Sequence, residues 1–195
     1  MSQYMTLIEA KKLAAEHHRG QTDHINVPYI QHVMRVAVNV QLLWPDAPDY
    51  VLVAAWLHDI VEDCDVSLQD LLDWGVDPRA VRIIELLTKP DDDERSYDEV
   101  ISDLIASGNL EAMLVKLCDN LDNSDPVRNQ ILHQTDPEKA EWFKQKYTAS
   151  IGALCDVLKL DAAEVMRKVY GYRQALKLGK TDEQARANMP RFVLN

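Results

Sequence analysis

The chain has 195 residues, with 21 Lys and Arg against 32 Asp and Glu, a net charge of −11 and an isoelectric point near 4.9. That length suits one substantial core, and that charge excludes a nucleic-acid-binding surface, which needs clustered Lys and Arg to neutralise phosphates. Met1 to Lys12 holds no apolar run suited to a signal peptide, no stretch approaches a membrane span, and Cys64, Cys118 and Cys155 are an odd set without C-x-x-C spacing. A cytoplasmic protein with reduced, buried thiols is therefore expected.

Thr6 with Glu9 forms a capping box, and Leu7, Ile8, Ala10, Leu13 and Ala14 give the first expected helix an apolar side that ends near Gly20. Gln21 to Val27 is polar and aperiodic, a loop. A second helix is expected from Tyr29 to Leu43, with Val33, Met34, Ala37, Val38 and Val40 inward and His32 among them. After Pro45 to Pro48, a continuous central helix is expected over Val51 to Cys64. Ser67 with Asp70 caps a short helix closed by Gly75, and Asp77-Pro78 starts another with Val81, Ile84 and Leu87 buried. The acidic run Pro90 to Glu94 breaks it as a solvated loop. Ser96 with Glu99 begins the helix that Gly108 ends, and Leu110 to Asp122 follows with Met113, Leu114 and Leu117 at core spacing. Asp136-Pro137 opens a long helix whose Trp142, Phe143, Tyr147, Ile151, Leu154 and Leu158 read as core, and Asp161/Glu164 and Thr181/Gln184 cap two more helices. No strand alternation is sustained. The expected class is all-α, with a main unit over residues 1–160 and a helical extension over 161–195 packed on it.

Chemistry concentrates in Trp56 to Cys64. There His58 lies one turn from Glu62 and Asp59 one turn from Asp63, so an imidazole and three carboxylates share adjoining rows of a helix. Acids packed that densely beside a buried face repel one another unless a cation or a proton compensates. His32, alone, is as readily a satisfied core histidine as a ligand.

Four segments together resemble the HD-domain metal-dependent phosphohydrolases, and among them the hydrolase domain of the Rel/Spo-type enzymes that degrade guanosine tetraphosphate. They are His18-Arg19-Gly20-Gln21; Pro28-Tyr29-Ile30 with His32; Leu57 to Asp63; and Lys116-Leu117 with Asp119 and Asn123. The resemblance runs from about Leu13 to Asn123 and implies an HD-type helical bundle. It implies His32, His58, Asp59 and Asp119 as metal ligands, with manganese favoured and iron or zinc as alternatives. Glu62 and Asp63 resemble the family's catalytic pair, placed to orient water and move its proton. Asn123 either contacts the nucleotide or caps its helix, and Arg19 and Lys116 are either phosphate partners or surface ion-pair residues. The implied function is hydrolysis of pyrophosphate from guanosine 3′-diphosphate 5′-diphosphate in the stringent response. The alternatives are a phosphohydrolase for another nucleotide or phosphorylated metabolite, and a nucleotide-binding sensor without turnover. The partner is a small nucleotide, with no nucleic acid or membrane, and homo-oligomerisation stays open.

The chain departs from the family where the base would be read. Asp23 and His24 stand where basic residues are usual, Val33 replaces a proline after the first histidine, and Pro126 stands where a hydroxyl-bearing residue is common. A carboxylate cannot stack on a ring as a cation does, so weaker guanine selectivity is expected, and a cation restored at position 23 is expected to strengthen guanine binding.

Overall fold

The protein is described here from a computed structural model covering residues 4–90 and 92–186. Residues 1–3, Asp91 of the acidic run and residues 187–195 of the expected extension lie outside the described residues. Among the described residues the chain forms α1 (Leu7–His17), α2 (Ile30–Leu43), α3 (Asp49–Leu57), α4 (Ile60–Asp63), α5 (Leu68–Asp73) and α6 (Pro78–Leu87). These are followed by α7 (Tyr97–Ala106), α8 (Leu110–Asn123), α9 (Pro126–Thr135), α10 (Pro137–Leu158), α11 (Ala162–Lys177) and α12 (Asp182–Arg186). The one β feature among them is an isolated bridge between Thr22 and Pro28.

Local chemistry sets most of these starts. Thr6, Ser67 and Ser96 form complete capping boxes, and Asp77, Asp136 and Asp161 each accept a backbone N–H of the turn they open. Each such acceptor satisfies a donor that the helix itself leaves unpaired. The same device at Asp125-Pro126 starts α9, a helix absent from the sequence expectation. Only Leu132 of α9 is buried, so no apolar stripe marks it.

α8 is the central post of the bundle. Its Met113, Leu114, Leu117 and Leu121 are fully buried, and it packs against α2 and α10, while α3 packs against α1, α2 and α6. α3 is apolar all round, as suits a helix enclosed on every side. Val165 and Val169 of α11 join the same core, and Leu132, Ala140, Phe143 and Tyr147 form a second, smaller cluster.

Three expectations need correction. The central helix is not continuous, because α3 ends at Leu57 and α4 begins at Ile60, with Asp59 between them at φ −101°, ψ −1°. The cause is local: His58 Nδ1 takes the Ala55 carbonyl at 3.0 Å, the acceptor that the Asp59 N–H would use to continue the ladder. Ile8 and Met34, expected inward, are 66% and 44% exposed, since the apolar stripes of α1 and α2 are narrower than their sequence pattern. Trp142, expected in the core, is 53% exposed.

Because α8 carries the centre of the core, Leu117→Ala should lower the unfolding free energy by about 2–5 kcal/mol. The measurement is a drop in the urea midpoint at unchanged slope. A loss below about 1 kcal/mol would contradict the packing described.

Candidate active site

Four side chains from three separate segments converge at the junction of α2, α8 and the α3–α4 break. His32 Nε2 lies 3.3 Å from Asp59 Oδ2 and 3.4 Å from Asp119 Oδ1, and His58 Nε2 lies 2.9 Å and 4.0 Å from the same two oxygens. The break in the central helix places Asp59 here: its backbone leaves the α3 path one residue after His58. Both histidines are buried. Their far nitrogens are committed: His32 Nδ1 pairs with Asp122 Oδ2 at 2.7 Å, and His58 Nδ1 with the Ala55 carbonyl at 3.0 Å. A nitrogen that donates to a carbonyl or carboxylate carries its proton there, which leaves the Nε2 lone pairs of both rings facing two carboxylates.

Such a set holds together only with protons on the Nε2 atoms or a cation among them. His58 Nε2 is buried and lies 2.9 Å from Asp59 Oδ2. The donors, two imidazole nitrogens and two carboxylate oxygens, fit a divalent transition metal. Without one, burial opposes a charged His32, but Asp119, Asp122 and Asp59 outweigh it and raise its pKa well above 6.5. His58 is raised in the same way by Asp59 against the same burial. Burial also opposes the charge on Asp59 and Asp119, which nonetheless stay ionised beside His58 and Lys116 respectively.

Around this point, Tyr29 donates its hydroxyl to Asp59 Oδ2 at 2.7 Å, and Lys116 Nζ and Asn123 Nδ2 bind the two oxygens of Asp119 at 2.9 and 2.7 Å. Glu62 and Asp63 of α4 stand at the edge. Burial raises the pKa of both; the Lys89 backbone N–H, 3.1 Å from Glu62, works against this, while Asp59 adds to it at Asp63. The two carboxyls are therefore poised to exchange a proton nearer neutrality than ordinary acids.

These groups open onto a cleft of about 540 Å³. Asp23, Asp59, Glu62, Asp63 and Asp119 line it together with Lys89, Arg95, Lys116, Arg128 and Lys146, an even balance in a chain where acids outnumber bases 32 to 21. Lys146 sits 4.0 Å from the ring centre of Tyr97, 4.6 Å from Trp142 and 5.1 Å from Tyr147, and among the described residues it makes no ion pair.

Of the sequence candidates, His32, His58, Asp59, Glu62, Asp63, Lys116, Asp119 and Asn123 are brought together here. Arg19 is not: it is exposed just past α1 and does not line the cleft. Pro126 stands at the start of α9, also outside the lining. Asp23 is present but not as an open loop acid. It is buried, accepts the N–H groups of Ile25 and Val27, and pairs with Arg128 at 2.8 Å. Replacing it with a cation would set like charges together beside Arg35 and Arg128, so the expected gain in guanine binding from that change is withdrawn. Sequence reasoning missed Asp122, Tyr29, Trp142 and Lys146. The Trp142/Lys146 spacing of one helical turn was visible, but only the fold turns that face to the cleft.

An all-α bundle that presents a His-Asp step, a histidine from a preceding helix and an aspartate from a following one around a single point has the architecture of an HD domain. Residues 10–147 match the HD domain family, and the chain belongs to it. A Drosophila melanogaster protein named guanosine-3′,5′-bis(diphosphate) 3′-pyrophosphohydrolase MESH1 is 31% identical over 119 residues, 60% of this chain and 66% of that protein. The Mus musculus protein of the same name is 37% identical over 133 residues, 63% of this chain and 69% of its own length. This chain thus spans about two thirds of each. A solved structure described as a metazoan ortholog of SpoT that hydrolyzes ppGpp superposes with a TM-score of 0.65 at 25% identity, covering 86% of this chain and 98% of the other.

Metal uptake should displace the protons held by His32 and His58, so manganese affinity of the metal-free protein is expected to rise as pH rises above about 6.5 through their raised pKa values, with protons released on binding. The sign for the metal-free protein is opposite. A raised imidazole pKa contributes stability below the unfolded value near 6.5, and that contribution is lost as pH rises through the folded value. Calorimetric titration in buffers of different ionisation enthalpy checks the first statement, and thermal unfolding across the same range checks the second. Binding by His58→Ala as tight as wild type would exclude this site.

Proposed function

We propose that the chain is a metal-dependent hydrolase that removes pyrophosphate from the 3′ position of guanosine 3′,5′-bis(diphosphate). The observation that carries this is the convergence of His32, His58, Asp59 and Asp119 beside Glu62 and Asp63, in a cleft with more than its share of cations. The names of the fly and mouse relatives support the substrate. His32, His58, Asp59 and Asp119 would hold the ion, with manganese favoured and iron or zinc accommodated by the same donors. When bound, it would supply a Lewis acid that lowers the pKa of water to roughly 7 and offsets phosphate charge.

The chain's own residues do the rest. Glu62 and Asp63, with raised pKa values, take the proton from the attacking water and return one to the departing ribose oxygen. Tyr29 and Lys116 keep Asp59 and Asp119 oriented, and Asn123 holds Asp119 from its other oxygen. Lys89, Arg95 and Lys146 face the phosphates as cations of the cleft wall. We place the enzyme in the cytoplasm and the stringent response, consistent with three free cysteines, and among the described residues no helix is long and apolar enough to cross a membrane.

The half-exposed Trp142 offers the base a stacking surface, while the loop over residues 21–28 is locked by Asp23. Stacking accepts any base, so this geometry also favours a second reading, a phosphohydrolase acting on other nucleotides as well. A sensor without turnover would have no use for the Glu62-Asp63 pair.

Glu62→Gln and Asp63→Asn should keep the metal and lose roughly two to four orders of magnitude in kcat. Activity within a few fold of wild type in both, measured on guanosine tetraphosphate, would refute their roles. Trp142→Ala should cost about 1–3 kcal/mol of substrate binding, seen in KM more than in kcat, and equally for guanosine and adenosine tetraphosphates. Strong guanine selectivity in the unmodified protein would show that other residues read the base.

A further inference from the structure

Behind the four-residue cluster lies a second group of charges that the proposed reaction does not use, and of them only Arg128 also borders the cleft. Asp122, fully buried one turn beyond Asp119 on α8, receives His32 Nδ1 on Oδ2 at 2.7 Å. It also receives Arg35 Nε on Oδ1 at 2.7 Å and Arg35 Nη2 on Oδ2 at 3.0 Å, both from α2. Arg173 of α11 reaches Oδ1 at 2.8 Å, and Arg128 of α9 stands 3.4 Å from Oδ2. Arg173 is fixed in turn by Asp125 at 2.6 Å and by Asn39 at 3.2 Å. One carboxylate therefore sets the ring of His32, and three helices set that carboxylate.

We infer that Asp122 and Arg173 are positioning residues for the metal centre, so that α11, which begins after the span matching the HD family, is a working part of it. The physical reason is directional. A histidine ligand needs its far nitrogen bound to a fixed acceptor to hold its tautomer and ring plane, and loss of such an acceptor typically weakens metal binding 10–100-fold. A buried carboxylate with one ring as its only partner could rotate toward any neighbouring donor. Held by Arg35 and Arg173 on Oδ1, it keeps Oδ2 on the ring.

This rests on the assignment of His32 as a metal ligand. The test is calorimetric titration of manganese into metal-free full-length protein, with thermal unfolding as a control. Asp122→Asn should weaken binding about 10–100-fold and Arg173→Ala about 3–30-fold, with Arg173→Lys recovering part of the loss. Tyr170→Phe is the comparison, because Tyr170 also ties α11 to α8, through the Leu121 carbonyl at 3.1 Å, without touching Asp122. It should lower stability and leave manganese affinity within twofold. Unchanged affinity in Asp122→Asn and Arg173→Ala overturns the inference, as does an equal loss in Tyr170→Phe, which would make packing the cause. If Arg173→Ala does not fold, Arg173→Lys and Asp122→Asn decide. Wild-type protein that takes up no divalent ion refutes the metal assignment itself, a result distinct from the other two.

Discussion

Two imidazole lone pairs and two carboxylate oxygens brought within a few ångströms of one point, in a part of the molecule that water scarcely reaches, form an arrangement that repels itself until positive charge is placed inside it. Uncompensated, each buried ion would cost several kcal/mol. Much of the surrounding structure serves to keep that point from relaxing. The far nitrogens of both rings are tied down, the tyrosine hydroxyl holds one carboxylate, and a lysine and an amide hold the other. Even the interrupted central helix belongs to this effort, since the carbonyl that would have continued the helix fixes a ring instead.

The charge distribution follows from the same centre. A chain of net charge −11 repels anions at long range, yet its cleft balances five acids with five bases, and two of those acids, Asp59 and Asp119, are the ones whose charge a bound ion would offset. The local field at the cleft therefore runs against the field of the whole surface. Lys146 contributes most directly, because aromatic faces rather than carboxylates surround it, and burial together with Lys116 lowers its pKa.

Sequence patterns announced what depends on neighbours in the chain. Caps at Thr6, Ser67, Asp77, Ser96, Asp136 and Asp161 are local chemistry and stand where the pattern puts them. The His58-Asp59 and Glu62-Asp63 steps were legible for the same reason, and His32 and Asp119 through family resemblance. What escaped was set by distant partners. Asp23 reads as an exposed loop acid until Arg128, 105 residues on, is seen to cover it, and Asp122 reads as a helix-end acid until α2, α9 and α11 close around it. Trp142 has a core residue's spacing, but it falls where α10 borders a cavity rather than another helix. Helix α9 hid because it buries a single large apolar residue, so only its cap, not its periodicity, could have revealed it.

The reach of Arg173 into the buried acid pair also bears on how the chain matures on the ribosome. Some fifty residues separate Asp122 from Arg173, a delay of about 3–10 seconds at roughly 5–20 residues per second. During that interval His32, His58, Asp59 and Asp119 have all been synthesised, while the arginine from α11 that helps to hold Asp122 has not. The nascent chain thus owns every donor of the cluster before it owns the brace behind them. Helix α11 closes this order of assembly, so the centre is completed only once that helix has been made and not as soon as the cluster's own residues exist.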